Sequence, residues 1–178
     1  MGGTYDVRLL SASYSSDREG EPYIELFGKT RDRRSILIAA YGFKPYFFIV
    51  DPDASAEESL KTDKEIVDLA HTDLYYKGEV RDCLKITLDS PWSVPHIRNR
   101  LARRYTVLAG DIQYHDRFIY DTDMGSCIRV TGEDVDLDYC TDIKIRMEGF
   151  ENIDSFDPGL KFLSFDICLL YTSPSPRD

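Results

Sequence analysis

The segment "LKFLSFDI" (160–167) carries the residue best placed for metal chemistry, Asp166. An apolar run that ends in one acid is typical of a buried strand that presents a carboxylate at its end. Side chains two residues apart on a strand share one face, so an acid at position 168 would complete a pair of hard oxygen ligands for Mg²⁺. Position 168 is a cysteine, a soft ligand that suits Mg²⁺ poorly. Asp166 is therefore a candidate metal ligand with no acid two residues further on.

Other metal ligands are dispersed along the chain. The cysteines are Cys83, Cys127, Cys140 and Cys168, and the histidines are His71, His96 and His115. Because none of them forms a C-x-x-C pair or a Cys/His set at ligand spacing, zinc is not expected. Scattered thiols without a disulfide pattern predict a cytoplasmic protein.

Composition predicts a soluble globular chain of 178 residues, enough for one domain or for one domain and the start of a second. Apolar runs such as "ILIAAY" (36–41) are too short to span a bilayer, so no membrane partner is expected. The net charge of −10 opposes indiscriminate binding of nucleic acid. Two basic clusters, "KTRDRR" (29–34) and "RNRLARR" (98–104), leave open a local basic face or a solvated surface.

Strand-forming sequence dominates the chain. Aromatic and β-branched runs between Gly, Pro and Asp breaks predict a meander in the first fifty residues and further strands later. The predicted strands cover 5–14, 23–28, 34–41, 44–50, 73–80, 83–90, 106–115, 126–133, 142–150 and 160–167, with a loop at 133–142. Helical periodicity predicts helices over 51–72 and over 93–105, the second capped by Ser93. This order of elements predicts a mixed α+β fold.

Two pieces of the chain together resemble family B DNA polymerases. The strand "LKFLSFDI" resembles the first strand of their 3′–5′ exonuclease domain, which ends in Asp-Ile-Glu. The body upstream resembles the N-terminal domain of the archaeal members. The matching segments, in order, are "GEPYIELFG" (20–28), "FKPYFF" (43–48), "SPWSVPHIRNRL" (90–101) and "DIQYHDRFIYD" (111–121).

The resemblance implies a polymerase N-terminal domain over 1–133, then a link and the start of the exonuclease domain over 134–167. The parent protein would be a DNA-directed DNA polymerase with an RNase H-like proofreading exonuclease. Asp166 would be the first catalytic carboxylate of that exonuclease and would bind Mg²⁺, with its partner acid missing here. Its partners would be the DNA template-primer and dNTPs, with a sliding clamp bound through other regions. Residues 168–178, "CLLYTSPSPRD", resemble translated sequencing-adapter sequence, so the natural sequence is expected to end here at Ile167 and Cys168 to be an artefact.

The archaeal members also hold a pocket that captures uracil in the template strand. Carried over one at a time, the matching residues are Tyr14, Pro45, Tyr46, Pro91, Val94, Ile112, Tyr114 and Arg117. Without the resemblance, Val94 and Ile112 would be read as core and Arg117 as a surface charge. Gln113 and Tyr114 stand where the family often has Pro and Phe, and Trp92 within the third segment is a candidate stacking surface.

Two other functions remain open at this point. A standalone module that binds single-stranded nucleic acid would share the β-rich layout. A small RNase H-like nuclease would use 160–167 as its first catalytic strand, but it leaves the preceding residues unexplained.

Overall fold

A computed structural model describes residues 2–164. In chain order the elements are β1 (Gly2–Ser16), β2 (Pro22–Thr30), β3 (Ser35–Tyr41), β4 (Tyr46–Val50), α1 (Ala54–Lys61), β5 (Ile66–Tyr76), β6 (Glu79–Leu88), a 3₁₀ turn (Pro91–Ser93), α2 (Val94–Leu101), β7 (Val107–Leu108), α3 (Tyr114–Asp121), β8 (Cys127–Asp134) and β9 (Ile143–Asn152). The predicted α+β class is confirmed.

Five strands close into a barrel in the order β1-β2-β3-β9-β8. Neighbouring strands are antiparallel except β3 and β9, which pair in parallel with Ile36 opposite Ile143. Closure leaves no open edge in this sheet, and one face of each strand fills the interior. The interior includes Val7, Ile24, Ile38, Val130 and Ile145, and α3 adds Tyr114 and Phe118.

The remaining strands form a second, antiparallel sheet in the order β5-β6-β4-β7. Helices α1 and α2 pack against it through a core that includes Phe47, Ile49, Leu60, Leu84, Ile97 and Leu101. The β5–β6 hairpin turns at Lys77 and Gly78, which both have positive φ, 51° and 91°. Positive φ at both central residues is the requirement of a tight two-residue hairpin turn. The predicted strands 73–80 and 83–90 fall largely within this hairpin, but its turn lies at 77–78 rather than in the gap between them at 81–82.

The predicted helix over 51–72 is wrong in its second half. Helix α1 begins where the carboxylate of Asp53 accepts the backbone N–H of Ala56 at 2.9 Å, and it ends at Lys61. Ile66 then starts β5, opposite Leu88 of β6. Pairing along a whole strand outweighed the helical spacing of a few apolar residues.

The predicted strand over 106–115 is also wrong. Only Val107–Leu108 pairs with β4, and Tyr114 begins helix α3, which the sequence did not suggest. Helix α2 is shorter than predicted, and the Ser93 side chain does not cap it. The Ser93 hydroxyl instead donates to Glu65 at 2.5 Å.

The predicted meander of the first four strands is wrong in its last member. Strands β1 to β3 follow one another in the barrel, but β4 belongs to the second sheet. Residues 160–164 have no regular secondary structure, and the rest of the predicted last strand lies outside the described residues. The domain boundary at 133/134 stays a prediction, and the place of β9 in the barrel favours a boundary after Asn152.

Candidate nucleic-acid interface

A cavity of about 190 Å³, referred to below as the pocket, lies where the barrel approaches the second sheet. All eight residues carried over from the resemblance line it: Tyr14, Pro45, Tyr46, Pro91, Val94, Ile112, Tyr114 and Arg117. They come from β1, the start of β4, the 3₁₀ turn, α2, the loop before α3 and α3 itself. A cavity of about 150 Å³ can hold benzene, so the pocket has room for a six-membered ring.

Tyr46 forms one wall of the pocket, and two cations lie close to its ring. The Lys85 ammonium lies 3.9 Å from the ring centroid and the Arg117 guanidinium lies 4.2 Å from it. The Tyr46 hydroxyl donates to Asp121 at 2.8 Å. Burial, and then the Asp121 carboxylate, raise the pKa of Tyr46, so the hydroxyl stays a donor at neutral pH.

Arg117 is the buried charge of the pocket, with 6% of its surface exposed. Its guanidinium donates to the Ala109 carbonyl at 2.5 Å. A carbonyl and an aromatic face stabilise a cation without neutralising it, so the pocket wall keeps a positive charge in a poorly hydrated place.

Tyr114 closes the inner side of the pocket. It is 5% exposed, its hydroxyl donates to the Phe43 carbonyl at 2.5 Å, and its ring contacts Phe43 at a centroid distance of 5.6 Å. Burial raises the pKa of Tyr114 to about 12. Tyr14 meets the Tyr114 ring edge-on at 5.6 Å, which links the pocket floor to its rim.

The remaining predicted residues form the apolar walls and the mouth. Pro45 and Pro91 are buried, Val94 is partly buried against the core of the second sheet, and Ile112 is 37% exposed at the mouth. The backbone at Pro45 is fixed because its carbonyl accepts the N–H of Leu88 at 2.8 Å. These walls are therefore held by neighbouring elements.

Arg98 also lines the pocket, and the sequence analysis did not single it out as a pocket residue. It lies one helical turn after Val94, a spacing that places both side chains on one face of α2. The Arg98 guanidinium donates to the Gly110 carbonyl at 3.0 Å and ties α2 to the loop before α3. A Cβ on Gly110 would lie 2.8 Å from the Arg98 side chain, so glycine allows this close approach.

The other arginines of the two basic clusters pair largely with acids. Arg100 and Arg104 contact Asp63 and Asp53, both at 2.5 Å, which fastens α2 to the α1 segment. In the first cluster, Arg31 pairs with Asp6 at 2.9 Å and Arg34 with Asp32 at 2.7 Å. These pairs favour the interpretation of a solvated surface over that of a basic face.

A second, wider depression of about 540 Å³ lies on the barrel. Acidic residues surround it: Asp17, Glu19, Glu21, Asp136 and Asp138. Because carboxylates repel phosphate, this depression suits nucleic acid poorly. The smaller pocket is the better candidate.

The predicted Mg²⁺ ligand Asp166 lies outside the described residues. Within residues 2–164 there is no group of three or more His, Cys, Asp or Glu side chains that could hold a metal ion. In the same part of the chain, no helix has the length and apolarity needed to cross a membrane.

No protein-family model and no curated protein matches the chain. A solved structure does: the family B DNA polymerase from the hyperthermophilic archaeon Pyrobaculum calidifontis, with a TM-score of 0.60 and 22% sequence identity. The match covers 83% of this chain and 20% of the polymerase chain, so this chain spans about a fifth of that protein's length. The α+β fold described here is thus shared with part of a family B DNA polymerase.

Proposed function

We propose that this chain is the N-terminal region of a family B DNA-directed DNA polymerase that carries a linked 3′–5′ exonuclease. The shared fold supports this proposal, as do the ordered matches along the sequence. Template-primer DNA and dNTPs would be the substrates of the complete enzyme, which would act in the cytoplasm. A sliding clamp would bind through other regions. Asp166 would hold Mg²⁺ together with acids outside this chain, and the ion would supply Lewis-acid chemistry for phosphodiester cleavage.

The part of the enzyme present here would bind single-stranded template DNA and inspect it for uracil. The observation that carries this proposal is the convergence of eight residues from distant segments on one cavity of about 190 Å³. A base must leave the stack before it can be inspected, and an apolar slot with aromatic walls can hold it. The pocket has apolar walls at Pro45 and Val94 and aromatic walls at Tyr46 and Tyr114.

Thymine would be rejected by shape. It differs from uracil by a methyl group at C5, and the rigid ring of Pro45 with the branched side chain of Val94 would leave little room for it. Forcing one extra methyl group into a packed site costs about 1–3 kcal/mol. The pocket would therefore prefer uracil by roughly 5- to 150-fold on this contribution alone.

Cytosine would be rejected by hydrogen bonding. Its amino group is a donor where uracil presents a carbonyl, so a main-chain donor aimed at that position would be left unpaired. An unpaired buried polar group costs about 1–3 kcal/mol. Arg117 would act by bracing the pocket through Tyr46 and Ala109, because its burial favours this role over contact with an exposed phosphate.

Binding of fluorescently labelled single strands that carry one uracil or one thymine tests the proposal. We expect tighter binding of the uracil strand, and loss of that preference in Val94→Gln, which places a longer polar side chain in the slot. Equal affinity of the unmodified chain for the two strands would refute uracil sensing but leave the proposed relation to polymerases intact. In a separate assay with Mg²⁺, the chain alone should neither extend nor degrade a primer.

A further inference from the structure

Trp92 is unusually exposed for a tryptophan and lies beside the pocket. Half of its surface is open to solvent, at 50%. It belongs to the same 3₁₀ turn as Pro91, which lines the pocket. Tryptophan is highly buried on average in folded proteins, so an open indole at a cavity mouth needs an explanation.

The indole stands on a rigid support. The Ser90 hydroxyl accepts the backbone N–H of Trp92 at 3.3 Å, and the Ser90 carbonyl accepts that of Ser93 at 3.2 Å. The bond from the Ser93 side chain to Glu65 anchors the turn to the segment just before β5. Fixing the backbone before a ligand arrives reduces the entropy that is lost on binding.

The indole is also joined to the pocket through Tyr14. The two ring centroids lie 5.8 Å apart with planes tilted by 55°, and Tyr14 in turn contacts His115 at 5.9 Å. The Tyr14 contact is tilted rather than stacked, and half of the Trp92 surface stays exposed. An aromatic surface thus continues from the pocket floor to the outside.

A flat aromatic surface suits a base better than a phosphate here. The chain carries a net charge of −10, so its long-range field does not attract a polyanion. Stacking requires no such field, and it tolerates any sequence because every base has a π face. When one base leaves the stack to enter a pocket, its neighbours lose a stacking partner.

We infer that Trp92 is a stacking platform for the base next to the one in the pocket, so that the site binds two neighbouring nucleotides of a single DNA strand. This inference rests on the proposed function. Trp92 is then a binding residue that adds affinity without adding sequence preference, whereas the pocket supplies the choice of base.

The test uses Trp92 as its own reporter, because it is the single tryptophan of the chain. Short single strands carrying one uracil are titrated onto the chain, with a normal base or an abasic site on the 5′ or the 3′ side of the uracil. We expect the intact strand to quench the indole fluorescence, and an abasic site on one of the two sides to abolish most of the quenching. The side that matters is the side on which the stacked base lies.

Binding affinities measured with labelled strands compare Trp92 variants on intact and abasic strands. Trp92→Ala should weaken binding of the intact strand by roughly 5- to 150-fold, and it should have much less effect on the strand that lacks the stacked base. Trp92→Phe should lose less affinity than Trp92→Ala, because phenylalanine keeps an aromatic ring. Tyr75→Ala removes another exposed aromatic, at 77% exposure and not part of the pocket, and should change nothing.

The two proposals fail in different ways. Equal affinity for uracil and thymine would refute the pocket's specificity. If the preference for uracil is retained but the indole is not quenched, the stacking inference alone is refuted. It is also refuted alone if Trp92→Ala weakens binding of intact and abasic-flanked strands equally. Absence of quenching would point to a protein contact at Trp92, which also overturns the inference.

Discussion

The hydroxyl of Tyr114 offers a sharp test of how the pocket is held together. The family that this chain resembles often has Phe at the matching position, so Tyr114→Phe is a conservative change by that measure. In this structure the hydroxyl donates to the Phe43 carbonyl in a buried place. The substitution keeps the ring and its contact with Phe43 but leaves the carbonyl without this donor.

The expected cost follows from that single bond. Leaving a buried acceptor without a partner costs about 1–3 kcal/mol in the free energy of unfolding. For a chain of this size, each kcal/mol lowers the melting temperature by about 2–4 °C. We therefore expect Tyr114→Phe to melt roughly 2–12 °C below the unmodified chain. Thermal and urea unfolding, followed by circular dichroism, measure the two quantities.

The pH dependence gives the same prediction a second readout. Since burial raises the pKa of Tyr114 to about 12, its contribution to stability is complete below about pH 10, the pKa of an unfolded tyrosine. The contribution is lost as the pH rises through the folded pKa, because the unfolded state releases the proton first. Tyr114→Phe lacks this loss, so the gap between the two proteins should narrow between about pH 10 and 12.

The matched control is Tyr75→Phe, which removes the hydroxyl of an exposed tyrosine. Its free energy of unfolding should stay within about 0.5 kcal/mol of the unmodified chain. If Tyr114→Phe also stays within that range at neutral pH, the bond to Phe43 does not stabilise the fold and the reasoning is refuted.

Two further predictions concern parts of the fold outside the pocket. The imidazole of His71 contacts Glu57 at 2.8 Å and Asp82 at 2.9 Å, and the hydrogen bonds to Asp82 and then to Glu57 raise the pKa of His71. This stabilisation is complete below about pH 6.5 and is lost as the pH rises through the folded pKa. The urea midpoint of His71→Gln should therefore depend less on pH than that of the unmodified chain from about pH 6.5 upward, and identical pH profiles would contradict this expectation. In the barrel, a Cβ on Gly132 would lie 2.3 Å from a β9 carbonyl oxygen, so Gly132→Ala should lower the free energy of unfolding by about 1–3 kcal/mol. A Cβ on Gly149 would lie 3.7 Å from its nearest neighbouring atom, so Gly149→Ala should be tolerated. Equal denaturant midpoints for the two alanine variants would count against the close approach at Gly132.

Most of the strands could be predicted from the sequence, but not their distribution between two sheets. The segment 34–41 reads as a strand because its branched and apolar residues run without a break, and it forms β3. Its parallel partner β9 lies more than a hundred residues further on, with Ile36 opposite Ile143. Pairing at such a separation depends on how the barrel closes, which no local pattern records.

The errors in secondary structure have a common physical cause. Ile66 and Val67 follow α1 at helical spacing, yet they join β5 because β6 offers a long row of unpaired backbone groups. Around Tyr114 the reverse happened: the apolar residues of the segment suggested a strand, but a helix brings Tyr114 and Phe118 into the barrel core together. In both places, tertiary packing decided between two conformations that the local sequence allows.

The pocket could not have been found from residue chemistry alone. Taken singly, Val94 is an ordinary core residue and Arg117 an ordinary surface charge. Only the resemblance to a family brought them together, since Val94 and Arg117 lie on separate helices, α2 and α3, that both line the pocket. Arg98 could have been predicted from its position one helical turn after Val94, but only after Val94 had been identified as part of the pocket wall.

The charges of the molecule explain why pocket shape would have to supply specificity at this site, and stacking would have to supply affinity. A strongly acidic chain can bind DNA only through local features, and the pairing of Arg100 and Arg104 with acids removes much of the apparent basic face on α2. The Arg117 guanidinium is turned inward onto Tyr46, where it helps to fix a wall of the pocket. The cation that sequence reasoning would place on the surface is thus buried in the pocket wall. Under the proposed function, a nucleotide would meet a pocket with both polar and apolar walls and the exposed indole of Trp92.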